Sequence, residues 1–347
     1  MTHFSVRFVF AAFLLFQCFC EGAAKQIRFV SYTQNLWHEC TKVPDGVNNL
    51  IEQVWYINPD IATFCELFPG NEDSVIERLT GVLEKRGRKY YYAKMDGRAI
   101  VSRHRIIETK RINQWCFKAV LDVYGTRIVV YPSHSEYRFY SCYLPRGYGD
   151  GSENWGKLPE PITDVMEIES IALLSGRTES ARMVVEDAKT EIAEGSLVFY
   201  QGDFNEPSHL DWTRATADSF DHLGCSVKWP LSKYMIETAR WKDAYREAHP
   251  NPVKYPGITW PTACPPLDES SIAWAKEADE RDRIDFIYYH PDHRIKVKDA
   301  FLAGYPMSLR CAQAVWDESS DKFVISKNAG WFSDHRGVVA VFKLNVR

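Results

Sequence analysis

The chain has 347 residues, of which 45% are hydrophobic and 25% are charged, and its formal net charge is −4. These values are ordinary for a folded protein with a large core, and they exclude disorder, collagen and coiled coil as the main architecture. The slight acidity also excludes a strongly basic protein. A polyanionic substrate would therefore have to be held by a local basic patch or by a metal ion.

The first 24 residues predict a signal peptide. Arg7 precedes an apolar run from Phe8 to Phe19, and the small residues at 22–24 are typical of a cleavage site. An uncleaved membrane anchor is the alternative, but the run is shorter than the roughly 20 apolar residues that a span needs. We therefore expect residues 1–24 to be removed, residues 25–347 to form the functional domain without a transmembrane segment, and the protein to be secreted or periplasmic.

The cysteines leave the disulfide pattern open. Nine are present, and because Cys18 and Cys20 lie in the predicted signal peptide, seven remain. An exported protein permits disulfides, but an odd number leaves at least one thiol unpaired or intermolecular. No pair has the spacing of a cysteine zinc site, so such a site is not expected.

The first part of the mature chain predicts alternating strands and helices. Strand character occurs at 27–32, which breaks into polar residues at 33–35, and at 61–65. Helical spacing of apolar residues occurs at 47–56 and 74–85. Further strand-like runs cover 90–93, 99–102, 115–123 and 127–131, and Gly97 and Gly125 predict hairpin turns between them.

The second part combines long loops with a few clear elements. Residues 146–163 are rich in Gly, Pro and polar residues and predict a long loop, and 226–271 is irregular and rich in Pro. A helix is predicted at 180–193, and strands are predicted at 197–200, 284–289 and 337–342. With no internal repeat, one α/β domain is the economical interpretation.

Polar side chains follow several of these buried strands. They are Asn35, Glu66, Asp203 with Asn205, and Asp334 with His335. Each one alone is more often a turn former or a helix cap than a ligand. Together they predict oxygen ligands that converge on one edge of a sheet. Hard oxygen donors without cysteine suit Mg²⁺, Mn²⁺ or Ca²⁺ rather than zinc.

Two histidines make hydrolysis a candidate reaction for this edge. His134 follows the strand at 128–131, and His335 follows Asp334. Hydrolysis of a phosphate ester needs a base that activates water and a cation that neutralises growing charge. Asp285, in a predicted strand, could orient one imidazole.

Six segments, in this order, resemble the motifs of the endonuclease/exonuclease/phosphatase superfamily, which has the deoxyribonuclease-I-like fold. They are Phe29–Trp37, Pro59–Glu66, Gly97–Arg103, Gly202–Asn205, Arg283–Phe286 and Ser333–His335. The resemblance extends over nearly all of the mature chain. It implies an α/β (α+β) fold with two β-sheets packed as a sandwich and flanked by helices. It also implies a Mg²⁺-dependent phosphoesterase.

The resemblance also implies roles for the oxygen ligands. Glu66 would bind the metal ion, with Asn35 and Asp334 beside it. Asp203 and Asn205 would position the attacking water and the scissile phosphate.

The histidines receive their roles from the same resemblance. His335, oriented by Asp285, would act as the base or hold a phosphoryl oxygen, and His134 would donate to the phosphate or to the leaving group. Which histidine is base and which is acid stays open. In one departure, Pro132 stands where many members carry an Asn two residues before the second histidine.

The substrate is the least determined part of this prediction. A secreted nuclease or general phosphodiesterase, acting as a monomer on a phosphate ester such as DNA or RNA, leads narrowly. A phospholipid or sugar-phosphate hydrolase (sphingomyelinase-like or inositol-phosphatase-like) is the alternative. A non-catalytic binding protein on the same fold ranks last, because the expected site residues are present.

Three further features bear on the substrate. Basic clusters at 85–89 and 103–105 could contact a phosphate backbone, but a solvated surface is the favoured interpretation. The loops 146–161 and 225–282 match no motif and are expected to border the site. Tryptophans in or near loops could stack on a ligand, although most are expected to be packing anchors: Trp155, Trp212, Trp229, Trp241, Trp260 and Trp331.

Overall fold

A computed structural model describes residues 25–68, 74–265 and 267–346. The predicted signal peptide lies outside the described residues. The helices are α1 Gly46–Ile57, α2 Val75–Lys85, α3 Val165–Leu174, α4 Arg177–Ala193, α5 Pro230–Lys233 and α6 Ala244–Ala248. The strands are β1 Lys25–Asn35, β2 Ile61–Cys65, β3 Tyr91–Met95, β4 Arg98–Ser102, β5 Arg105–Asn113, β6 Cys116–Val123, β7 Thr126–His134, β8 Leu197–Asp203, β9 Lys242–Asp243, β10 Asp285–Tyr289, β11 Ile295–Ala303, β12 Met307–Arg310, β13 Gln313–Trp316, β14 Phe323–Val324 and β15 Gly337–Val346.

In the described part of the chain these strands form two large sheets and one hairpin. The first sheet has seven strands in the order β14-β11-β15-β1-β2-β4-β3, and the second has six in the order β5-β6-β7-β8-β10-β9. Strands β12 and β13 form the hairpin. Most neighbours are antiparallel, but three pairs are parallel: β1 with β2, β7 with β8, and β11 with β14. The predicted two-sheet sandwich is therefore confirmed.

Successive side chains of each strand point to opposite faces of the sheet, and this alternation produces the layers. In β1, Phe29 packs into the apolar layer between the sheets, whereas Val30 packs on the opposite face, where helices α1 and α2 lie. In β8, Phe199 points into the inner layer and Val198 packs outward against α4. All four side chains are buried, and each contributes about 1.5–3 kcal/mol through removal from water.

Strand β1 extends further than its polarity predicted. The sequence prediction ended the strand before residues 33–35, but these residues are buried and pair in register with residues 63–65 of β2. Their polar groups are satisfied inside the protein, as in the hydrogen bond of 2.9 Å from Thr63 Oγ1 to Thr33 Oγ1. The prediction of a break was wrong because these residues belong to a buried polar layer rather than to a turn.

Several elements have no counterpart in the sequence prediction. Strand β5 is an exposed edge strand rich in charge, which is how proteins protect a sheet edge. Helix α3 has apolar residues on most of its faces, so helical periodicity was absent. Strands β9 and β11 to β14 and the short helices α5 and α6 were also not predicted.

Two further observations concern membrane-spanning helices and cysteines. None of the helices in the described ranges has both the length and the apolar character required to span a bilayer. Among the described residues the seven cysteines are free thiols. Six of them are buried, and Cys311 is exposed.

Candidate active site

The predicted site residues meet because of two parallel strand pairs, β1 with β2 and β7 with β8. Asn35 is the last residue of β1, and Glu66 directly follows β2, so both stand at the same end of the first sheet. His134 ends β7 and pairs in register with Asp203, which ends β8 in the second sheet. Packing the sheets face to face brings these two ends together.

Asn35 joins the two nearest carboxylates. Its Nδ2 donates to Glu66 Oε1 and to Asp203 Oδ2, each at 3.0 Å. Its Oδ1 accepts from the backbone N–H of Trp37 at 2.9 Å, which fixes the orientation of the amide. Burial alone would raise the pKa of Glu66, but His134 and the Asn35 amide lower it overall. Glu66 is therefore held as an anion.

The backbone of this region adopts conformations that side chains rarely allow. Glu66 has a φ of 60° and Asn205 a φ of 48°, both in the left-handed region. Such strain costs about 1–3 kcal/mol per residue and is common where a side chain must be aimed at a ligand. Gly202 has a φ of 151°, and a Cβ there would lie 2.0 Å from the carbonyl oxygen of Ser133. Glycine therefore permits the close approach of β7 and β8.

Asp334 is a buried carboxylate with incomplete hydrogen bonding. Its Oδ2 accepts from the indole Nε1 of Trp260 at 3.3 Å, and its Oδ1 has no partner within the described residues. Burial raises the pKa of Asp334 to about 7, with a further upward contribution from Glu66 and an opposing one from His335. A hard divalent cation fits this donor set, because it would satisfy the unpaired oxygen and neutralise the clustered acids.

His335 and Asp285 form a hydrogen-bonded pair behind the carboxylates. Nδ1 of His335 lies 2.9 Å from Oδ2 of Asp285, whose side chain is 0% exposed. The other ring nitrogen, Nε2, lies 3.8 Å from Asp203 Oδ2. Burial would lower the pKa of His335, but Asp285, Asp203 and Asp334 together raise it to about 10.

His134 and Asn205 complete the predicted set. Nε2 of His134 lies 3.7 Å from Asp203 Oδ2 and 4.0 Å from Glu66 Oε1, and its side chain is 26% exposed. Asn205 donates its backbone N–H to Asp203 Oδ1 at 2.8 Å and its Nδ2 to the carbonyl of Ser135 at 3.1 Å. The structure thus brings all of the predicted residues together, although their individual roles stay predictions.

A cavity of about 570 Å³ opens over these residues. Six of the predicted residues line it, whereas Asn35 and Asp285 lie behind its surface. One further wall consists of His38, Leu67, Phe68, Asp96 and Gly97, and the other is aromatic: Tyr137, Tyr140, Tyr143, Trp155, Trp260 and Trp274. Among the described residues that line the cavity, none is Lys or Arg.

The aromatic wall is the part that the sequence prediction missed. Trp155 and Trp260 were singled out as loop tryptophans, but the tyrosines and Trp274 were not. A usable signal exists, since Tyr137, Tyr140 and Tyr143 recur at every third position after β7. The other singled-out tryptophans are buried packing residues: Trp212, Trp229, Trp241 and Trp331.

The basic clusters lie away from the cavity. In the antiparallel pair of β2 and β4, Arg98 stands beside Cys65 at the site end, whereas Ser102 stands beside Ile61 at the opposite end. The cluster at 103–105 follows that far end, and the cluster at 85–89 precedes β3, which starts there too. Neither cluster contributes a residue to the cavity lining.

Comparison with known proteins supports the same fold. No protein-family profile matches the chain. The uncharacterized protein F14F9.5 of Caenorhabditis elegans is 28% identical over 262 residues, which cover 74% of this chain and 77% of that protein. An endonuclease/exonuclease/phosphatase from Beutenbergia cavernae superposes with a TM-score of 0.51 at 15% identity, over 92% of this chain and 72% of its own. The human Nocturnin catalytic domain superposes with a TM-score of 0.50 at 12% identity, over 93% of this chain and 98% of its own.

The structure of TDP2 from Caenorhabditis elegans gives a TM-score of 0.50 at 14% identity, over 91% of this chain and 74% of its own. At such low identity these likenesses concern the fold. The chain has the fold of the endonuclease/exonuclease/phosphatase proteins, and the fold that the sequence motifs implied is confirmed.

Proposed function

We propose, from the endonuclease/exonuclease/phosphatase fold and the site that it carries, that this protein is a secreted, metal-dependent hydrolase of phosphodiesters. One observation carries the proposal. The His335–Asp285 pair faces a cluster of buried carboxylates, and one oxygen of that cluster, Oδ1 of Asp334, has no protein partner within the described residues. Hydrolysis of a phosphate ester requires an imidazole, a carboxylate and an oxygen that is free to bind a metal ion, and this site contains all three.

The chain's own residues would divide the reaction as follows. Glu66 and Asp334 would hold the divalent cation, which when bound supplies positive charge to the phosphoryl oxygens. Asp203 and Asn205 would orient the attacking water. The oxygen of that water bonds to phosphorus, the P–O ester bond breaks, and a proton reaches the departing oxygen. His335 and His134 border the reacting centre and are the groups that hold or move these protons.

The substrate class stays a prediction at this level. A nucleic acid needs cationic side chains that follow its backbone, and the absence of Lys and Arg from the described cavity lining does not favour one. The aromatic wall suits a phosphodiester with a smaller or less anionic leaving group. A phospholipid or small diester therefore deserves equal testing with DNA and RNA.

The first test measures hydrolysis by the mature protein from Lys25 onward. Bis(p-nitrophenyl) phosphate and supercoiled plasmid DNA would be incubated with Mg²⁺ or Mn²⁺, with EDTA as one control. The variant His335→Ala should lose activity about 100-fold or more, as expected for a proton-transferring group. The variant Asp218→Asn changes an exposed carboxylate that does not line the cavity, and it should be fully active.

Two results would contradict the proposal. One is the absence of hydrolysis of any phosphate ester with either metal ion by folded protein. The other is activity that survives both EDTA and the His335→Ala change. Secretion is tested separately by expressing the full chain and sequencing the amino terminus of protein recovered from the medium, where Lys25 or a close neighbour is expected.

A further inference from the structure

We propose that the aromatic wall of the cavity binds a quaternary ammonium group, so that the substrate is a phosphodiester with a choline-type head. This inference rests on the proposed function, because it names the substrate of the same site. The wall lies beside the carboxylates and histidines in one continuous cavity, so an ammonium group held there could be joined to a phosphate at the reacting centre.

The rings of the wall are arranged around Trp155. Its ring centroid lies 4.8 Å from that of Trp274 with an angle of 86° between the planes. Tyr143 packs on Trp155 at 6.0 Å and 79°, but it is itself buried and supports Trp155, whereas Trp274 is half-exposed. Perpendicular rings present their negative faces from different directions, whereas ring edges are positive. A compact cation is attracted by several ring faces at once, which is how aromatic cages bind quaternary ammonium groups.

The same arrangement does not suit a flat ligand such as a nucleobase. A ring inserted between two parallel rings needs about 7 Å between their planes, twice the contact distance of carbon atoms. The parallel pair in the wall, Tyr137 and Trp155, has centroids only 6.2 Å apart at 14°. The remaining pairs around Trp155 are nearly perpendicular, so no parallel slot exists among these rings.

The charges around the cavity also favour a cation. Its lining within the described residues includes Asp96 as well as the site carboxylates, and it includes no Lys or Arg. Two basic residues in the loop that carries Trp155 are each paired with a carboxylate. Arg146 is buried against Asp282 at 2.5 Å, and Lys157 pairs with Glu277. A cationic head therefore meets no opposing charge from these two side chains. Arg138, which pairs with Glu136, lies 6.0 Å from the ring centroid of Tyr137, so the rings that Trp155 and Trp274 present are the ones left for a ligand cation.

The wall is held in place by a buried carboxylate. Glu280 accepts a hydrogen bond of 2.5 Å from the hydroxyl of Tyr143, and it also accepts from the backbone N–H groups of Trp274 and Ala275. One side chain thus connects the two loops that carry the cage rings. Such a preformed cage loses little entropy when it orders around a ligand.

The test compares a substrate that carries a quaternary ammonium group with an uncharged analogue of the same shape. The substrates are glycerophosphocholine and the analogue in which a carbon atom replaces the ammonium nitrogen, and the release of phosphocholine, choline or their analogues is measured. Wild-type protein should prefer the cationic diester by about tenfold or more in kcat/KM, because each ring contributes a modest cation–π attraction. Sphingomyelin and phosphatidylcholine vesicles form a second arm, and preference for vesicles or for the soluble diester identifies the source of the head group.

Variants separate the cage from the rest of the protein. Trp274→Leu should lower the preference towards unity, and Trp274→Phe should largely keep it, because phenylalanine restores a ring face. Trp316→Leu is the matched control. Trp316 is an exposed tryptophan that does not line the cavity, so this change should alter neither the activity nor the preference.

The outcomes distinguish the two proposals. If the protein hydrolyses bis(p-nitrophenyl) phosphate but has equal kcat/KM for the cationic diester and its neutral analogue, the cage is overturned and the proposed function stays intact. If no diester is hydrolysed, the proposed function fails, and the cage is tested by tryptophan fluorescence with choline against 3,3-dimethylbutan-1-ol. Saturable binding of choline alone that weakens in Trp274→Leu supports the cage, and equal responses to both compounds overturn it.

Discussion

Asp285 and His335 are joined by a hydrogen bond of 2.9 Å between Oδ2 and Nδ1, and both side chains are withdrawn from solvent. The two residues lie on different strands and loops of the sandwich, 50 positions apart in the sequence. Because Nδ1 is engaged by the carboxylate, the ring directs Nε2 towards Asp203 and the cavity. Asp285 therefore acts on any reaction through the orientation and charge of His335.

The change Asp285→Asn removes the negative charge from this pair but keeps its size. We expect kcat to fall about 100-fold or more. An amide nitrogen facing Nδ1 would reverse the preferred tautomer, and an amide oxygen, which is uncharged, would leave the imidazole less basic. The pH profile of kcat should shift at the same time, which a purely structural defect would not produce. Asp218→Asn is the control. Retention of activity and of the wild-type pH profile by Asp285→Asn would contradict the role of this pair.

Most residues of the candidate site could be predicted from the sequence because they lie in short contiguous motifs. Asp203 and Asn205 are two positions apart after a buried strand, and Asp334 and His335 are adjacent. The geometry of such segments depends on one strand end, which local sequence determines well. His134 lies in register with Asp203 at the same sheet edge, despite the proline two residues before it, and its role stays a prediction.

The cage could not be found in the same way because distant contacts create it. Tyr143 and Glu280 meet across 137 positions of sequence, and neither stands in a strand or a long helix. Loop conformations of this kind follow from tertiary packing rather than from periodicity. Strand β5 and helix α3 were missed for a related reason, since an exposed edge and an evenly apolar helix lack the expected periodic pattern.

The acidic cluster should respond to metal ions in a way that stability measurements detect. Added Mg²⁺ or Mn²⁺ should raise the melting temperature, because a ligand that binds only the folded state stabilises it. Asp334→Asn should abolish this response. Without metal the same variant should be more stable than wild type above pH 7, by about 1 kcal/mol or more, because the raised pKa of Asp334 means that its ionised form destabilises the fold.

Thermal unfolding with and without EDTA at two pH values measures both effects. Asp218→Asn should respond to metal as wild type does. An equal metal-induced rise in Asp334→Asn would show that the ion binds elsewhere. Reduced stability of the metal-free variant would contradict the view that the buried, ionised Asp334 destabilises the fold.

Gly202 is predicted to be irreplaceable for steric reasons. Gly202→Ala places a Cβ 2.0 Å from the carbonyl oxygen of Ser133 and also imposes a φ of 151° on a residue with a side chain. We expect a loss of about 3 kcal/mol or more in the free energy of unfolding, the sum of backbone strain and overpacking. Gly195→Ala is a matched control, since Gly195 has a φ of 83° but no atom within 4 Å of the added Cβ.

Gly195→Ala should lose only about 1 kcal/mol in the free energy of unfolding, which is the cost of the left-handed backbone conformation alone. Urea unfolding of the two variants measures both values. Equal losses would show that the close approach of β7 and β8 relaxes at little cost.

His222 should make the protein less stable in mild acid. Its ring is buried and stacked on that of Trp212, with 3.5 Å between the ring centroids. Burial, with Arg146 nearby, lowers the pKa of His222 to about 2. Above the unfolded-state pKa of about 6.5 the residue is neutral in both states. Below it only the unfolded chain binds the proton, so stability falls by about 1.4 kcal/mol per pH unit from this group.

The variant His222→Asn removes the titrating group and keeps a donor that can reach the carbonyl of Thr216. Its stability should be lower than that of wild type at pH 7, and it should lose the part of the slope between pH 6.5 and about 5 that comes from this histidine. The measurement is urea unfolding across that range. Identical slopes for the two proteins would mean that His222 becomes protonated in the folded state.

Trp260 should act on the metal through Asp334. Its indole N–H supplies the hydrogen bond to Oδ2, at 3.3 Å, and Trp260→Phe removes this donor while it keeps an aromatic ring in the wall. Partners that orient a ligand carboxylate typically contribute about tenfold or more to metal affinity. We therefore expect the metal concentration for half-maximal activity to rise about tenfold, with kcat at saturating metal changed much less.

Trp316→Phe serves as the control, because that exposed ring does not line the cavity. Activity against metal concentration separates the possible results. A fall in kcat at saturating metal without a change in metal dependence would place Trp260 in substrate binding alone. An unchanged curve would show that Asp334 is oriented without the indole, and that the buried Oδ1 together with Glu66 suffices to hold the ion.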